Sequence, residues 1–112
     1  MLSLRVAPAV CPHVCALQPS SRGTVRLRDT SPHSAPLIDP QFLSDPQDLQ
    51  TLVRGVRRAR QILAQPALAT QGEEWVRSAQ AQSDAELEDW IRENADTIYH
   101  PVGTCRMGTD PQ

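Results

Sequence analysis

The hydrophobic and polar positions of the chain change their period along its length, and the change predicts strands followed by helices. In residues 23–28, threonine and arginine alternate with valine and leucine. A period of two is typical of a strand with one buried face, so this segment predicts a half-buried strand. Residues 4–10 are short and partly β-branched, and they predict a further strand.

Between residues 46 and 65 the apolar side chains recur every three or four positions, which predicts an amphipathic helix. Asp45 is a suitable N-cap, and Pro46 suits the first helical position. Pro66 ends the helix, because proline cannot continue the backbone hydrogen bonding. The predicted apolar face comprises Leu49, Leu52, Val53, Val56, Ala59 and Leu63. The arginines on the other faces indicate a solvated surface, since no glycine-rich phosphate loop accompanies them.

A second helix is predicted over residues 83–95. Ser83 and Glu86 have the spacing of a capping box, and Leu87, Trp90 and Ile91 follow as an apolar stripe. We expect Trp90 to belong to the core. Residues 29–40 contain three prolines and predict a loop or an extended connection, and residues 67–82 are polar without a clear period. The patterns together predict an α+β fold of antiparallel strands with flanking helices.

Composition and charge exclude several classes of protein. A net charge of −2 argues against nucleic acid as a partner. No apolar run approaches the ~20 residues that a membrane-spanning helix needs. Aromatic residues make up 4% of the chain, a small supply for an independent core, so we expect some apolar surface to meet other polypeptide.

The cysteines indicate free thiols. Cys11, Cys15 and Cys105 are an odd number, which suggests a reducing compartment, and we therefore expect a cytoplasmic protein. A metal site at Cys11, His13 and Cys15 would need further ligands, and no second pair accompanies them, so no metal is expected. Residues 1–28 contain arginines and no acidic residue, so a mitochondrial transit peptide is the alternative interpretation.

One segment has a composition suited to chemistry: Tyr99-His100-Pro101-Val102-Gly103-Thr104-Cys105-Arg106-Met107-Gly108. Histidine has an unperturbed pKa near neutrality, so it can accept and return a proton. Pro101 favours an extended backbone at His100, and Gly103 permits a tight turn. The segment predicts a histidine in a non-helical loop that follows the second helix.

Residues 97–108 resemble the histidine motif of the glucose-methanol-choline (GMC) oxidoreductases, in particular the branch that is similar to choline dehydrogenase. Upstream segments resemble the same family in the same order: residues 21–28, residues 36–40 and residues 43–48. The resemblance covers residues 19–112, whereas residues 1–18 match poorly and are expected to be an N-terminal strand or a frayed end.

The resemblance implies a partial C-terminal, substrate-binding domain of an FAD-dependent enzyme that oxidises an alcohol. It implies that His100 is the catalytic proton acceptor and that Tyr99 and His100 lie in a loop facing the flavin. The substrate is then a small-molecule alcohol. The missing FAD-binding domain of the same enzyme is the expected protein partner.

The departures from the family pattern shape these expectations. The five glycines do not form the G-x-G-x-x-G turn that binds FAD phosphates, and the chain ends before the family's second catalytic position. We therefore expect no FAD on this chain alone and no independent activity. The alternatives are a non-catalytic truncated α+β module, a core histidine at position 100, or a nucleophilic pair of His100 with Cys105, which would need an orienting group and an acyl site.

Overall fold

The computed structural model describes residues 12–69, 74, 76–100, 103 and 107–109, and these form a two-stranded sheet and three helices. In chain order they are β1 (Thr24–Arg26), β2 (Leu37–Asp39), α1 (Pro46–Leu63), α2 (Val76–Ala79) and α3 (Asp84–Asn94). The predicted α+β class is confirmed. The strand predicted at residues 4–10 lies outside the described residues.

The two strands are antiparallel, and Val25 pairs with Ile38 at the centre of the ladder. The strand predicted over residues 23–28 is confirmed in its central part. The sequence predicted a loop or an extended connection over residues 29–40, and it did not predict that residues 37–39 pair as the strand β2. Pro36 and Pro40 flank β2, and the three residues between them are too few to show a period of two.

The prediction that the strand at residues 23–28 is half-buried is wrong. Val25 is 50% exposed and Leu27 is 85% exposed, and Ile38 opposite Val25 is 65% exposed. Alternation shows which face of a strand can be buried, but burial also needs a layer that covers this face. The described residues leave most of this apolar surface uncovered.

Gly23 allows the two strands to approach at the start of β1. A Cβ atom at this position would collide with the carbonyl oxygens of Asp39 and Pro40. Because these obstacles are backbone atoms, a larger residue would require the strands to separate.

The core lies between α1 and α3, as the two apolar stripes predict. Leu49 and Val53 of α1 meet Leu87 and Ile91 of α3, and Ala81 completes the buried cluster. Partly buried side chains surround it: Leu43, Leu52, Val56 and Trp90. The prediction that Trp90 belongs to the core is confirmed, and its ring packs at the edge of the cluster.

Both predicted helix starts are confirmed by their hydrogen bonds. A side-chain oxygen of Asp45 accepts from the Gln47 amide at 2.8 Å. Ser83 and Glu86 form the reciprocal capping box, with the Ser83 hydroxyl accepting from the Glu86 amide and the Glu86 carboxylate accepting from the Ser83 amide. The Ser83 amide and hydroxyl hold the pKa of the Glu86 carboxyl below its ordinary value.

The Asp48 carboxylate joins the segment before β1 to the start of α1. It is 5% exposed and accepts hydrogen bonds from the Ser20 amide at 2.7 Å, from the Ser21 amide at 2.8 Å and from the Ser21 hydroxyl. The Ser21 hydroxyl also accepts from the Asp45 amide at 3.0 Å. These bonds, with the Ser21 hydroxyl foremost, lower the pKa of Asp48 against the opposing effect of burial.

Among the helices of the described part of the chain, none combines the length and the apolar character needed to cross a membrane.

Candidate functional site

The backbone leaves the helical conformation directly after α3 and reaches His100 through five residues. The Ala95 amide donates to the Ile91 carbonyl at 2.8 Å, which closes the last turn of the helix. Ala95 itself is extended, with φ −71° and ψ 139°. The Asn94 side chain donates to the Trp90 carbonyl at 2.8 Å. The end of α3 is thus well defined, and His100 follows it in a non-helical segment, as the sequence predicts.

Two polar side chains shape the turn before His100. The Asp96 carboxylate accepts from the Thr97 amide at 2.7 Å, and the Thr97 hydroxyl accepts from the Tyr99 amide at 3.0 Å. Tyr99 has φ +63°, in the left-handed region that residues with a Cβ atom seldom occupy. Beyond His100, Gly103 has φ +99°, which glycine adopts without the Cβ clash that other residues meet.

The site lies on an exposed surface with several apolar side chains. His100 is exposed, Tyr99 is 78% exposed and Ile98 is 53% exposed. Met107, from the same motif, is fully exposed. No described residue forms a hydrogen bond to the His100 imidazole. The His100 side chain is therefore not part of the core that the described residues form.

Several motif residues lie outside the described residues, namely Pro101, Val102 and the segment 104–106. The alternative of a nucleophilic pair between His100 and Cys105 involves a residue outside the described part of the chain. The structure does bring Tyr99 and His100 together on one exposed loop. Both other histidines, His13 and His33, are exposed.

Two arginines of α1 hold the chain that leads into α3, and the sequence analysis did not identify this role. The Arg57 guanidinium donates to the Asp84 carboxylate and, at 3.1 Å, to the Gln82 carbonyl. The Arg60 guanidinium donates to the Ala81 carbonyl at 2.9 Å and to the Ser78 carbonyl. The i, i+3 spacing of the arginines places both on one helix face, but this signal does not show which backbone carbonyls they bind.

Glu74 forms an ion pair with Arg60 at 2.9 Å, and the Arg60 side chain is 21% exposed. Side chains from one face of α1 thus bind the connection between α1 and α3 and hold it against α1. The polar segment predicted without regular structure at residues 67–82 also contains the short helix α2.

The metal site that the sequence analysis considered and did not expect involves Cys11, His13 and Cys15 of the N-terminal segment. Cys15 is a free and exposed thiol, and Cys11 lies outside the part of the chain that the structure describes. Within that part, no three side chains of histidine, cysteine, aspartate or glutamate are grouped so that they could hold a metal ion.

The comparison with protein families decides the affiliation of the chain. Residues 19–112 match the C-terminal domain model of the family described as GMC oxidoreductase. The chain belongs to the GMC oxidoreductase family. The resemblance that the histidine motif and the upstream segments indicate is confirmed.

Curated relatives place this GMC chain near enzymes named for alcohols and choline. It is 47% identical over 100 residues to an alcohol dehydrogenase (acceptor) of Pseudomonas putida, covering 88% of this chain and 18% of the relative. It is 50% identical over 91 residues to the choline oxidase of Arthrobacter globiformis, covering 79% of this chain and 17% of the relative.

An oxygen-dependent choline dehydrogenase of Klebsiella pneumoniae is 42% identical over 99 residues, covering 88% of this chain and 18% of the relative. The GMC chain therefore spans less than a fifth of the length of these relatives. It corresponds to a part of their C-terminal domain.

Proposed function

We propose that this chain is part of an FAD-dependent oxidoreductase that acts on the CH–OH group of an alcohol, of the choline-dehydrogenase type, and that His100 accepts the hydroxyl proton. The family membership supports the reaction class. The observation that carries the assignment to His100 is its exposed imidazole in the family's histidine motif, in a loop that follows directly from α3.

The residues at the site fit one end of FAD. The Tyr99 ring and the His100 imidazole are exposed, and no described residue binds either side chain, so both are free to lie beside a flat flavin ring. The 112 residues contain no glycine-rich turn that could hold the phosphates. We infer that Tyr99 and His100 contact the reacting ring and that another domain of the complete protein binds the rest of the cofactor.

The chemistry assigned to His100 is general base catalysis. A neutral imidazole nitrogen within hydrogen-bond reach of the substrate hydroxyl takes its proton as the C–O bond gains double-bond character. The alcohol then loses this proton and a hydride from the α-carbon, and becomes a carbonyl compound. When bound, the flavin supplies the acceptor for the hydride.

The apolar side chains near the base suit this reaction once other polypeptide covers them. Ile98 and Tyr99 are largely exposed beside His100, and water would fill this space in the chain alone. A cover that excludes water strengthens the electrostatic interaction between the imidazole and the developing alkoxide. We propose that the FAD-binding domain of the same enzyme provides this cover.

The test is the substitution His100→Ala in the complete flavoprotein that carries this chain. Loss of a general base typically lowers the rate by about 10²–10⁴, so we expect a fall in kcat/KM of that size with flavin still bound. The measurement is steady-state oxidation of alcohols, choline included, normalised to the flavin absorbance.

His33→Ala is the matched control, because His33 is an exposed loop histidine far along the chain from the motif. It should leave kcat/KM within about twofold, as expected for a surface substitution away from the site. Equal activity of the His100→Ala enzyme and the parent enzyme, at equal flavin content, would show that a different group accepts the proton.

A further inference from the structure

The backbone conformation of Tyr99 is unusual and lies next to the proposed base. Three described non-glycine residues have positive φ, and Tyr99, at +63°, is the one in the histidine motif. A bulky aromatic residue in the left-handed region is strained, and such strain persists only where the surroundings hold it. Since His100 follows directly, the φ and ψ angles of Tyr99 set the direction in which the chain presents His100.

The Thr97 hydroxyl is the described group that holds this conformation. It accepts the hydrogen bond of the Tyr99 amide at 3.0 Å, two residues further along the chain. Hydrogen bonds from a backbone amide to a threonine or serine hydroxyl two residues earlier stabilise tight turns that the backbone alone does not favour. Thr97 is also the half-buried residue of the segment, whereas Ile98, Tyr99 and His100 are exposed. It is in turn fixed by the bond from its own amide to Asp96, at 2.7 Å.

We propose that Thr97 is a positioning residue for the reaction, and that its hydroxyl aims the His100 imidazole by holding Tyr99 in the left-handed conformation. This inference rests on the proposed function of His100. Without the hydroxyl, Tyr99 relaxes towards negative φ and His100 leaves the position from which it accepts the proton. A displacement of this kind slows the chemical step and does not affect the binding of the alcohol.

The test uses Thr97→Val and Thr97→Ser in the complete flavoprotein. Valine keeps the shape of threonine but removes the acceptor, whereas serine keeps the hydroxyl and loses only a methyl group. For Thr97→Val we expect the rate of flavin reduction at saturating alcohol to fall about tenfold, which corresponds to ~1.4 kcal/mol of barrier. KM should stay near its parent value, and Thr97→Ser should restore most of the rate.

A second measurement does not depend on activity. The Tyr99 amide is hydrogen-bonded, so hydrogen exchange at this amide should be protected in the parent protein and in Thr97→Ser, and faster in Thr97→Val. Thr51→Val is the matched control. The Thr51 hydroxyl donates to the Gln47 carbonyl within α1, away from the motif in sequence, and its loss should leave the reduction rate and the Tyr99 exchange unchanged.

The outcomes separate this inference from the proposed function. If Thr97→Val reduces the flavin at the parent rate, or if Thr97→Val and Thr97→Ser lower the reduction rate equally, the Thr97 hydroxyl does not position His100. A large effect of His100→Ala would still support His100 as the base in that case. If His100→Ala has no effect on flavin reduction, the proposed role of His100 as the base fails, and the positioning role of Thr97 fails with it.

Discussion

At the scale of single residues, the Asp48 carboxylate shows how one buried charge can join two parts of a fold. Its partners, Ser20 and Ser21, lie 28 and 27 positions earlier in the chain. A buried carboxylate is stable only when its oxygens are well bonded, and three donors satisfy this condition here. The segment before β1 is thereby attached to the first turn of α1, where the helix dipole also favours a negative charge.

The substitution Asp48→Asn should destabilise the chain by about 2 kcal/mol at neutral pH, because it replaces bonds to a charged acceptor and leaves a mismatched amide group buried. The measurement is the free energy of unfolding by urea titration. Asp89→Asn on the exposed face of α3 is the control and should change it by less than about 0.5 kcal/mol. Similar effects of both substitutions would contradict the role of Asp48.

Because of the Asp48 carboxylate, the difference in the free energy of unfolding between the parent chain and Asp48→Asn depends on pH. Its pKa in the folded chain lies below the ordinary value of 3.8, so the folded state favours the ionised form. This stabilisation is complete above pH 3.8 and is lost as the pH falls through the lower, folded pKa. The difference in stability between the two proteins should therefore narrow below pH 3.8.

At the scale of elements, α1 supports the approach to α3 with its arginines as well as with its apolar face. Arg60 is largely buried and binds two carbonyls and a carboxylate of the connection, whereas Arg58 is exposed and bonds to Gln61 on its own helix. Arg60 and Arg58 are arginines of the same helix in different surroundings, so substitutions at the two positions can be compared directly.

Arg60→Gln should lower the free energy of unfolding by about 1–2 kcal/mol, because the Ser78 and Ala81 carbonyls lose the hydrogen bonds from the guanidinium. The Ser78 carbonyl keeps the hydrogen bond from the Ala81 amide. Arg58→Gln should change it by less than about 0.5 kcal/mol, as is usual for exposed positions. Urea titration of the two variants checks this. The ion pair with Glu74 is partly exposed and contributes little of the expected difference, so Glu74→Gln should have a smaller effect than Arg60→Gln.

At the scale of the whole molecule, the described residues leave much apolar surface uncovered. Among the described residues, five hydrophobic side chains form the buried core, whereas ten large ones are exposed, including Ile38 in the sheet and Tyr99 in the motif. An exposed sheet face and an exposed motif are consistent with a chain that spans less than a fifth of the length of its curated relatives. The cofactor and the cover of the site are accordingly proposed to come from another domain.

The 112-residue chain, purified by itself after expression with excess FAD, should elute from gel filtration without flavin, because it contains no turn that holds the FAD phosphates. The absorbance spectrum of the eluted chain across the near-ultraviolet and visible regions shows whether flavin is present. The complete protein taken through the same columns is the control and should remain yellow. A flavin spectrum that co-elutes with the chain would show that these residues bind the cofactor without the second domain.

The sequence by itself determined the helices α1 and α3, the centre of β1 and the candidate base. Asp45, Pro46 and the Ser83–Glu86 capping box mark the helix starts, and their bonds join residues two or three positions apart, so their spacing is visible in the sequence. The apolar stripes of α1 and α3 predicted four of the five buried core side chains that the structure describes, all except Ala81. The histidine motif pointed to His100 and to its family, since residue types in a fixed order carry that information without coordinates.

Only the tertiary structure decided which distant groups meet. Three sets of contacts join positions well apart in the chain. The strand β2 pairs with β1, the Ser20 and Ser21 amides donate to Asp48, and the Arg60 guanidinium donates to the carbonyls of residues 78 and 81. Many serines and arginines of this chain could have made such bonds, because hydrogen bonding does not depend on sequence spacing. The left-handed conformation of Tyr99 also came only from the structure, because no propensity favours it, although the Thr97 hydroxyl that binds its amide is only two residues away.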